Sequence, residues 1–390
     1  MDHPPLPFIV TVILKLYLLA NIYILARLRS GTRRWGTPGR FLFWFMMAWA
    51  LMFPLARFVT AVPLENADPG RHAYDISVFF MNTGSYYIAV MQYLLICFIL
   101  FDLAGILSRT AEPFKSLSKF RNPSIKTGLA LIITAVIIVP GFFAAVHPVS
   151  VYHEIEIDKN STNKKQLRAV LISDLHLGYQ IGNRSIKRII DKVNSENPDI
   201  VLIPGDIIDY GTGILEKRGS AGLLAGLNAK YGVFASPGNH EYYGGIENSH
   251  RFLEAADITV LDDRYVTVNG FLVIAGRNDP VAENFGITRK PLHEIIEGID
   301  RSLPLIVLDH QPVSIPEAAE NGADIIASGH THHGQLFPIN YITSSIFKLS
   351  RGHKLKDNTH VFVTSGIGTW GPRVRVGSRS ELVVIDITIF

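Results

Sequence analysis

Apolar residues fall into two rhythms along this chain. Up to His147 they form long, nearly unbroken runs: Leu6 to Leu28, Phe41 to Val62, a stretch within Ile76 to Leu107, and Thr127 to Val146. Each reaches roughly the 20 residues that cross about 30 Å of hydrocarbon. A helix apolar on every face for that length belongs in a bilayer or deep inside a large protein. A cleavable leader would account for only one run. The pattern predicts a transmembrane domain of about four spans over residues 1–148. A second domain, residues 149–390, is long enough to bury a core of its own.

In the second domain the runs shorten and alternate. Ala169 to Ile172, Ile200 to Ile203, Gly232 to Ala235, Leu305 to Leu308 and Ile325 to Ala327 read as buried strands. Between them, Ile186 to Val193, Ile214 to Leu227, Asn248 to Ala256 and Pro291 to Ile296 carry helical spacing. Further β-rich runs lie at Val151 to Ile157, Thr259 to Leu261, Tyr265 to Val268, Phe271 to Ala275, Val361 to Thr364 and Leu382 to Ile389. The polar stretch Asp158 to Lys165 reads as a turn between two strands. Such alternation predicts an α/β core with helices on its faces.

Charge adds an orientation. The first predicted loop carries Arg27, Arg29, Arg33, Arg34 and Arg40, and the third carries Arg109, Lys115, Lys119, Arg121 and Lys126. The second holds Glu65, Asp68, Arg71 and Asp75 instead. The positive-inside rule keeps the basic loops in the cytoplasm and places both termini, with the second domain, on the extracytoplasmic side. The formal net charge of +3 conceals a division, with +7 over residues 1–147 and −4 over the remainder. An acidic domain lacks the basic groove that nucleic acid requires. The one cysteine, Cys97, lies in the third apolar run, so neither an intrachain disulfide nor a thiolate metal site is available. Lys15 and Asp102 fall near span ends, where a charged head reaches the interface by snorkelling.

Short polar clusters stand where the predicted strands end. In order they are Asp174-Leu175-His176, Gly205-Asp206-Ile207-Ile208-Asp209, Gly238-Asn239-His240-Glu241, the His310 segment, and Gly329-His330-Thr331-His332. Asp, Asn and His supply the oxygen and imidazole donors that hold hard-to-borderline divalent cations. Open α/β sheets place their sites at strand ends, so the clusters would converge on one rim. A single His or Asp there is commonly a cap. The whole ordered set points to a binuclear metal site that cleaves phosphate esters.

The pattern D-x-H, G-D-x-x-D, G-N-H-[DE], an isolated His and G-H-x-H, spread over residues 166–335, resembles the calcineurin-like metallophosphoesterase superfamily. Gly238 to Tyr243 and Ser365-Gly-Ile-Gly further resemble membrane-associated bacterial members with N-terminal transmembrane helices. The resemblance implies an α/β fold of two stacked mixed β-sheets flanked by helices, behind a four-helix transmembrane domain. It implies that Asp174, His176 and His332 hold one divalent cation and Asn239, His310 and His330 another, with Asp206 bridging. Two dications about 3.5–4 Å apart repel strongly without an anion between them, and together they acidify a shared water for in-line attack on phosphorus. Manganese is the expected metal, with iron, zinc and magnesium as alternatives. His240 resembles the family's proximal histidine, which stabilises phosphoryl charge or protonates the leaving group. Glu241 is expected to orient its other ring nitrogen, and Asp209 to hold a ligand histidine or a backbone turn. Glycines 205, 238 and 329 allow tight turns beside the metals. Tyr242, Tyr243, Trp370, Arg373 and Arg375 are candidates for the substrate side, the arginines for a second phosphate. His333 stands where related sequences have glycine and is a candidate substrate contact.

The expected function is therefore that of a membrane-anchored, metal-dependent phosphoric ester hydrolase, acting on a phospholipid or lipid-linked phosphate confined to the same layer. A bacterial inner membrane is the expected location, membrane lipids the expected partners, and nucleic acid is not among them. An alternative resembles the enzymes that cleave UDP-diacylglucosamine in lipid A assembly, but that substrate is cytoplasmic. A non-catalytic metal-binding module is a further alternative, opposed by the presence of His240 and every ligand.

Overall fold

The computed structural model describes residues 6–61, 71–110, 112–159 and 165–390. Glu65 and Asp68 of the second loop, and Asn160 to Lys164 of the polar turn, lie outside the described residues. The chain divides into two compact units, Met1–Gly141 and Phe142–Phe390.

The long apolar runs form helices α1 (Leu6–Thr32), α2 (Gly36–Ala61), α3 (Arg71–Leu107) and α4 (Pro123–Val146). Among the described residues three segments are long and apolar enough to cross a membrane: Thr11–Ala56, Asp75–Leu107 and Pro123–Val146. Apolar run length alone predicted four. The difference lies in Thr11–Ala56, which contains α1, a 3₁₀ turn at Arg33–Trp35, and α2. The Tyr17 hydroxyl bonds the Ala50 carbonyl, nearly equidistant from that turn, so α1 and α2 run antiparallel.

Many apolar side chains of this first unit face outward, around a core that includes Ile24, Leu28, Leu94 and Phe98. Leu16, Leu19, Ile22, Ile132 and Val136 are each at least 60% exposed, while Asn21, Tyr87 and Thr134 are buried. In a medium without water, buried polar groups must pair internally. The Tyr87 hydroxyl bonds Asn21 Oδ1, and Asn21 Nδ2 donates to the Tyr17 carbonyl at 2.8 Å. Asp102 does not snorkel alone. Arg27 Nη2 lies 2.6 Å from its carboxylate, the Tyr23 hydroxyl donates at 2.7 Å, and Lys126 pairs with its other oxygen.

The second unit holds strands β1 (Val149–Ile157), β2 (Lys165–Leu171), β3 (Ile200–Pro204), β4 (Val233–Ser236), β5 (Thr259–Val260) and β6 (Arg264–Val268). Six more follow: β7 (Leu272–Gly276), β8 (Leu305–Leu308), β9 (Ile325–Ser328), β10 (Gly352–Lys356), β11 (Thr359–Val363) and β12 (Glu381–Ile389). They make two mixed sheets, ordered β1-β12-β2-β3-β4-β5 and β10-β11-β9-β8-β7-β6. The Asp158–Lys165 turn closes no hairpin, because β12 enters between its flanking strands, parallel to β1 and antiparallel to β2.

The helices of this unit are α5 (Asn183–Asn194), α6 (Gly213–Lys217), α7 (Ser220–Leu224), α8 (Asn239–Gly244), α9 (Ile246–Glu254), α10 (Leu292–Ile295), α11 (Ile315–Glu320) and α12 (Ile339–Ile346). The single helix expected over Ile214 to Leu227 is broken into α6 and α7, because Gly219 between them adopts φ +64°. Strand alternation decides the packing. Leu272 and Ile274 of β7 share one core with Leu202 of β3 and Ile385 of β12, so the two sheets stack face to face. Val273 and Ala275 point the other way, into a second core with Leu292 and Ile295 of α10 and Ile315 of α11. Burial of each such Ile or Leu contributes about 1.5–3 kcal/mol.

Candidate metal centre

Five parallel strands from both sheets end at one rim, and each delivers part of the polar set. Asp174 and His176 follow β2, Asp206 follows β3, Asn239 and His240 follow β4, His310 follows β8, and His330 and His332 follow β9. The backbone there is forced into sparsely populated conformations. Five of the seven expected ligands have positive φ: Asp174, His176, Asp206, His330 and His332. Non-glycine residues adopt this region rarely and at a cost, and such outliers gather at functional sites. Two glycines make the approach possible. A Cβ on Gly238 would meet Asp206 Oδ1 at 2.3 Å, and one on Gly329 would meet Asp174 Oδ2 at 2.3 Å.

The donor atoms converge in three overlapping groups: Asp174, His176 and His332; His176, Asp206 and His240; and Asp206, His310 and His330. His176 Nε2 and His332 Nε2 lie 3.0 Å apart. Two ligands about 2.1 Å from one cation, at a right angle, stand roughly 3.0 Å from each other. Facing ring nitrogens at this distance share at most one proton, and a cation satisfies both lone pairs. Asp174 Oδ1 joins them, 3.5 Å from His332 Nε2. On the other side His330 Nδ1 lies 3.0 Å from Asn239 Oδ1 and 3.3 Å from His310 Nε2. Asp206 Oδ2 sits between the two sets, 3.2 Å from His310 Nε2 and 3.7 Å from His176 Nε2. The residues present fit a pair of divalent cations.

Two acids hold this arrangement from behind. Asp209 Oδ1 lies 3.0 Å from His240 Nδ1 and 3.4 Å from His176 Nδ1. Its backbone carbonyl also lies 2.9 Å from His240 Nδ1. Glu241 does not orient His240, contrary to expectation. Its carboxylate accepts the backbone N–H groups of Asp206 (3.0 Å), Ile207 (2.8 Å), Ile208 (2.9 Å) and Gly238 (2.7 Å), and so pins the loop that carries Asp206. Consecutive helical residues point about 100° apart, so a side chain next to His240 in α8 is badly placed to reach its ring.

Electrostatics separate the histidines into two kinds. Burial and the neighbouring His310 charge depress His330 to about 3, and burial with His176 holds His332 well below the usual range. Both are neutral, the form that ligates a metal. Burial opposes protonation of His240 as well, but the Asp209 and Asp206 carboxylates outweigh it and lift His240 to about 9. Among the carboxyls, burial raises Asp174, whereas the charge of His310 overcomes burial and keeps Asp206 well below 3.8.

The residues expected on the substrate side separate. Tyr243 is 58% exposed, its ring 5.7 Å from that of His240. Trp370 is exposed, and its backbone N–H and carbonyl both bond the Gln335 amide. His333 is half-buried, with Nδ1 3.0 Å from Ser350 Oγ. Arg373 is half-buried and lines a groove with Ala145, Val146, Ile181 and Arg188. Tyr242 is buried, its hydroxyl spent on Asn278 Oδ1 at 2.7 Å. Arg375 is 1% exposed and donates to the carbonyls of Ser365 (2.5 Å), Gly368 (2.8 Å) and His332 (3.3 Å). Tyr242 and Arg375 are thus scaffold, not substrate contacts. Sequence reasoning missed Tyr210, exposed beside His240 with ring centroids 6.1 Å apart, and Phe347, edge-on to His330 at 5.9 Å. Only the adjacency of Tyr210 to Asp209 could have signalled the first.

Comparison with known proteins gives the same outline. Residues 167–334 match the family described as calcineurin-like phosphoesterase. A transmembrane protein with metallophosphoesterase domain from Danio rerio is 34% identical over 294 residues, 71% of this chain and 65% of that protein. An uncharacterized metallophosphoesterase of Campylobacter jejuni is 34% identical over 57% of this chain and 60% of that one. Another, from Aquifex aeolicus, is 35% identical over 57% of this chain and 85% of its own length. The chain thus spans less than two thirds of the first two relatives. Among solved structures, a 5'-nucleotidase precursor from Thermus thermophilus aligns with a TM-score of 0.35 at 17% identity, over 57% of this chain and 55% of that one.

Proposed function

Since the chain belongs to the calcineurin-like metallophosphoesterase family, we propose that it is a membrane-anchored hydrolase of phosphoric esters that acts on a phospholipid or lipid-linked phosphate. The observation that carries this reading is the convergence of Asp174, His176, Asp206, Asn239, His310, His330 and His332 at the shared rim of two sheets, with ligand atoms in each group within 4.8 Å. Asp174, His176 and His332 would hold one divalent cation, Asn239, His310 and His330 the other, and Asp206 both. Manganese is the first metal to try. When bound, the cations supply positive charge opposite the phosphoryl oxygens and a water acidified for attack.

The chain's own groups do the rest. Asp209 holds His240 through Nδ1, which leaves Nε2 for substrate, and the Tyr210 and Tyr243 rings flank the imidazole. Protonated, with Asp209 holding its other nitrogen, it would donate to a phosphoryl or leaving-group oxygen. Glu241 keeps Asp206 aimed by holding its loop through four N–H groups. Tyr243 and Trp370 border the substrate side.

The first unit supplies the anchor. We read α1 and α2 as separate spans, because a single 46-residue segment is far longer than about 30 Å of hydrocarbon requires. With four spans and basic first and third loops, the positive-inside rule favours a second unit outside the cytoplasm. A reporter active only outside the cytoplasm, fused after Phe390, is expected to be active, and one fused within Ser108 to Lys126 silent. The opposite pattern overturns the orientation. For the substrate, detergent-purified protein with Mn²⁺ and a total lipid extract is expected to produce phosphate-loss mass shifts that EDTA abolishes. No shift in any lipid, alongside turnover of soluble esters, removes the lipid assignment.

A further inference from the structure

Helix α12 has its apolar residues on the outside. Tyr341 is 67% exposed, Ile342 60% and Ile346 68%, and Ile339 and the preceding Phe337 are exposed as well. Ile339, Ile342 and Ile346 recur at three- and four-residue spacing and therefore share one face. Thr343, bordering that face, is the buried position of the helix, and on the far side Ser344 Oγ lies 3.1 Å from Ser350 Oγ. Ser350 in turn meets His333 Nδ1 at 3.0 Å, and its carbonyl accepts from Thr331 Oγ1 at 2.6 Å. In a water-soluble protein this helix would be turned round, polar side outward. Clustered apolar exposure of this kind marks a contact with another apolar phase.

The rest of the chain says which phase. Three of its segments are long and apolar enough to cross a membrane, and a chain anchored by them would keep its second unit close to a bilayer surface. The α12 face has the composition of an interfacial helix, with isoleucines, a tyrosine at the polar boundary, and exposed Lys348 just beyond it to meet lipid phosphate. We infer that α12 is an interfacial membrane-docking element, whose Ile339, Ile342 and Ile346 face enters the lipid surface and presents lipid phosphate esters to the adjacent metal centre. The coupling to the site runs through Ser350. Ser344 of α12 meets the Ser350 hydroxyl, Ser350 bonds Thr331 and His333 of the loop that carries His330 and His332, and Phe347 just past the helix packs on the His330 ring. Substrate delivery rests on the lipid hydrolase reading, and docking does not.

The lone cysteine makes docking measurable. Full-length Cys97→Ser protein in phosphatidylcholine–phosphatidylglycerol nanodiscs would carry a nitroxide on Ile342→Cys, on Ile346→Cys, or on Glu320→Cys of α11 as an aqueous control. Oxygen collision is expected to exceed nickel-chelate collision at 342 and 346, with the reverse at 320. Nickel access at 342 and 346 equal to that at 320 overturns docking, and so does spin–spin broadening that seats a second copy on this face. For delivery, Ile342→Ser/Ile346→Ser protein in proteoliposomes is expected to lose roughly tenfold in turnover of embedded phospholipid. Turnover of a water-soluble aryl phosphodiester should stay unchanged. Equal lipid turnover overturns delivery. If no lipid is hydrolysed even by the unsubstituted protein, the hydrolase reading fails and delivery with it, while the collision profile alone decides docking.

Discussion

Isoleucine 22 of α1 and isoleucine 306 of β8 are the same side chain with opposite fates, the first 65% exposed and the second fully buried. Beside Ile22, buried Asn21 pairs with Tyr87 in a unit whose core also holds Ile24, Leu28 and Phe98, while Ile306 lies among Leu, Val and Ile from both sheets. The contrast teaches that burial follows the surrounding medium, not the residue. One unit leaves much of its apolar surface exposed and pairs hydrogen-bonding groups inside, the arrangement a bilayer would demand. The other hides its apolar surface and concentrates charge at one rim, where Asp174, Asp206, Asp209 and Glu241 are all nearly inaccessible. Buried carboxylates on that scale are tolerated only when they are paired, hydrogen-bonded or metal-bound.

The hardest test of the contrast strikes that rim. Asp206→Asn is expected to lower metal-dependent turnover of a soluble phosphodiester by roughly 10³-fold or more, since one carboxylate serves both ligand sets. Near-wild-type turnover in this variant, or in excess EDTA, removes the binuclear mechanism. His240→Ala should lower turnover by roughly 10²-fold while keeping its metals, because its role is protonic. Metal content by elemental analysis decides this, and loss of both cations would place His240 among the ligands.

The same deletion made in both units sharpens the comparison next. Ile306→Ala should cost about 2–5 kcal/mol by leaving a cavity between the sheets. Ile22→Ala, at an exposed position, should cost under about 1 kcal/mol. Thermal unfolding of the full chain in lipid reads both, and equal losses would mean that α1 is packed on every side.

A smaller effect concerns pH. Burial, ahead of the opposing charge of His310, raises the Asp279 carboxyl from 3.8 to about 6. The unfolded chain ionises this group near 3.9, so in metal-free protein its contribution is complete below about pH 4 and falls as pH rises to about 6. Asp279→Asn should remove that fall, which is worth up to about 3 kcal/mol between pH 4 and 7 in the metal-free chain. An unchanged pH profile of unfolding between pH 4 and 7 would show that Asp279 ionises freely.

Legibility in the sequence tracked locality. Asp174 with His176, Asp206 with Asp209, and His330 with His332 are close-spaced pairs behind apolar strands, so residue types and order exposed them without any structure. The supports were misread for a geometric reason. Glu241 neighbours His240 in sequence, yet Asp209, 31 residues earlier, holds the His240 ring, because α8 turns adjacent side chains apart. Tyr242 and Arg375 look like substrate residues by type, and only burial shows that their polar atoms are already spent inside the protein. The outward isoleucines of α12 were invisible too, since a short apolar run reads the same whether it faces a core or a membrane.

By itself, then, the sequence determined the division into an apolar helical unit and an α/β unit, and the chemical identity of the donors. Both depend on residue type and short spacing along the chain. The tertiary structure decided the insertion of β12 between β1 and β2, the left-handed backbone at Asp174, His176, Asp206, His330 and His332, and the pairing of Asp209 with two histidines. Those features join segments up to some two hundred residues apart, and only the stacking of two complete sheets brings them to one rim.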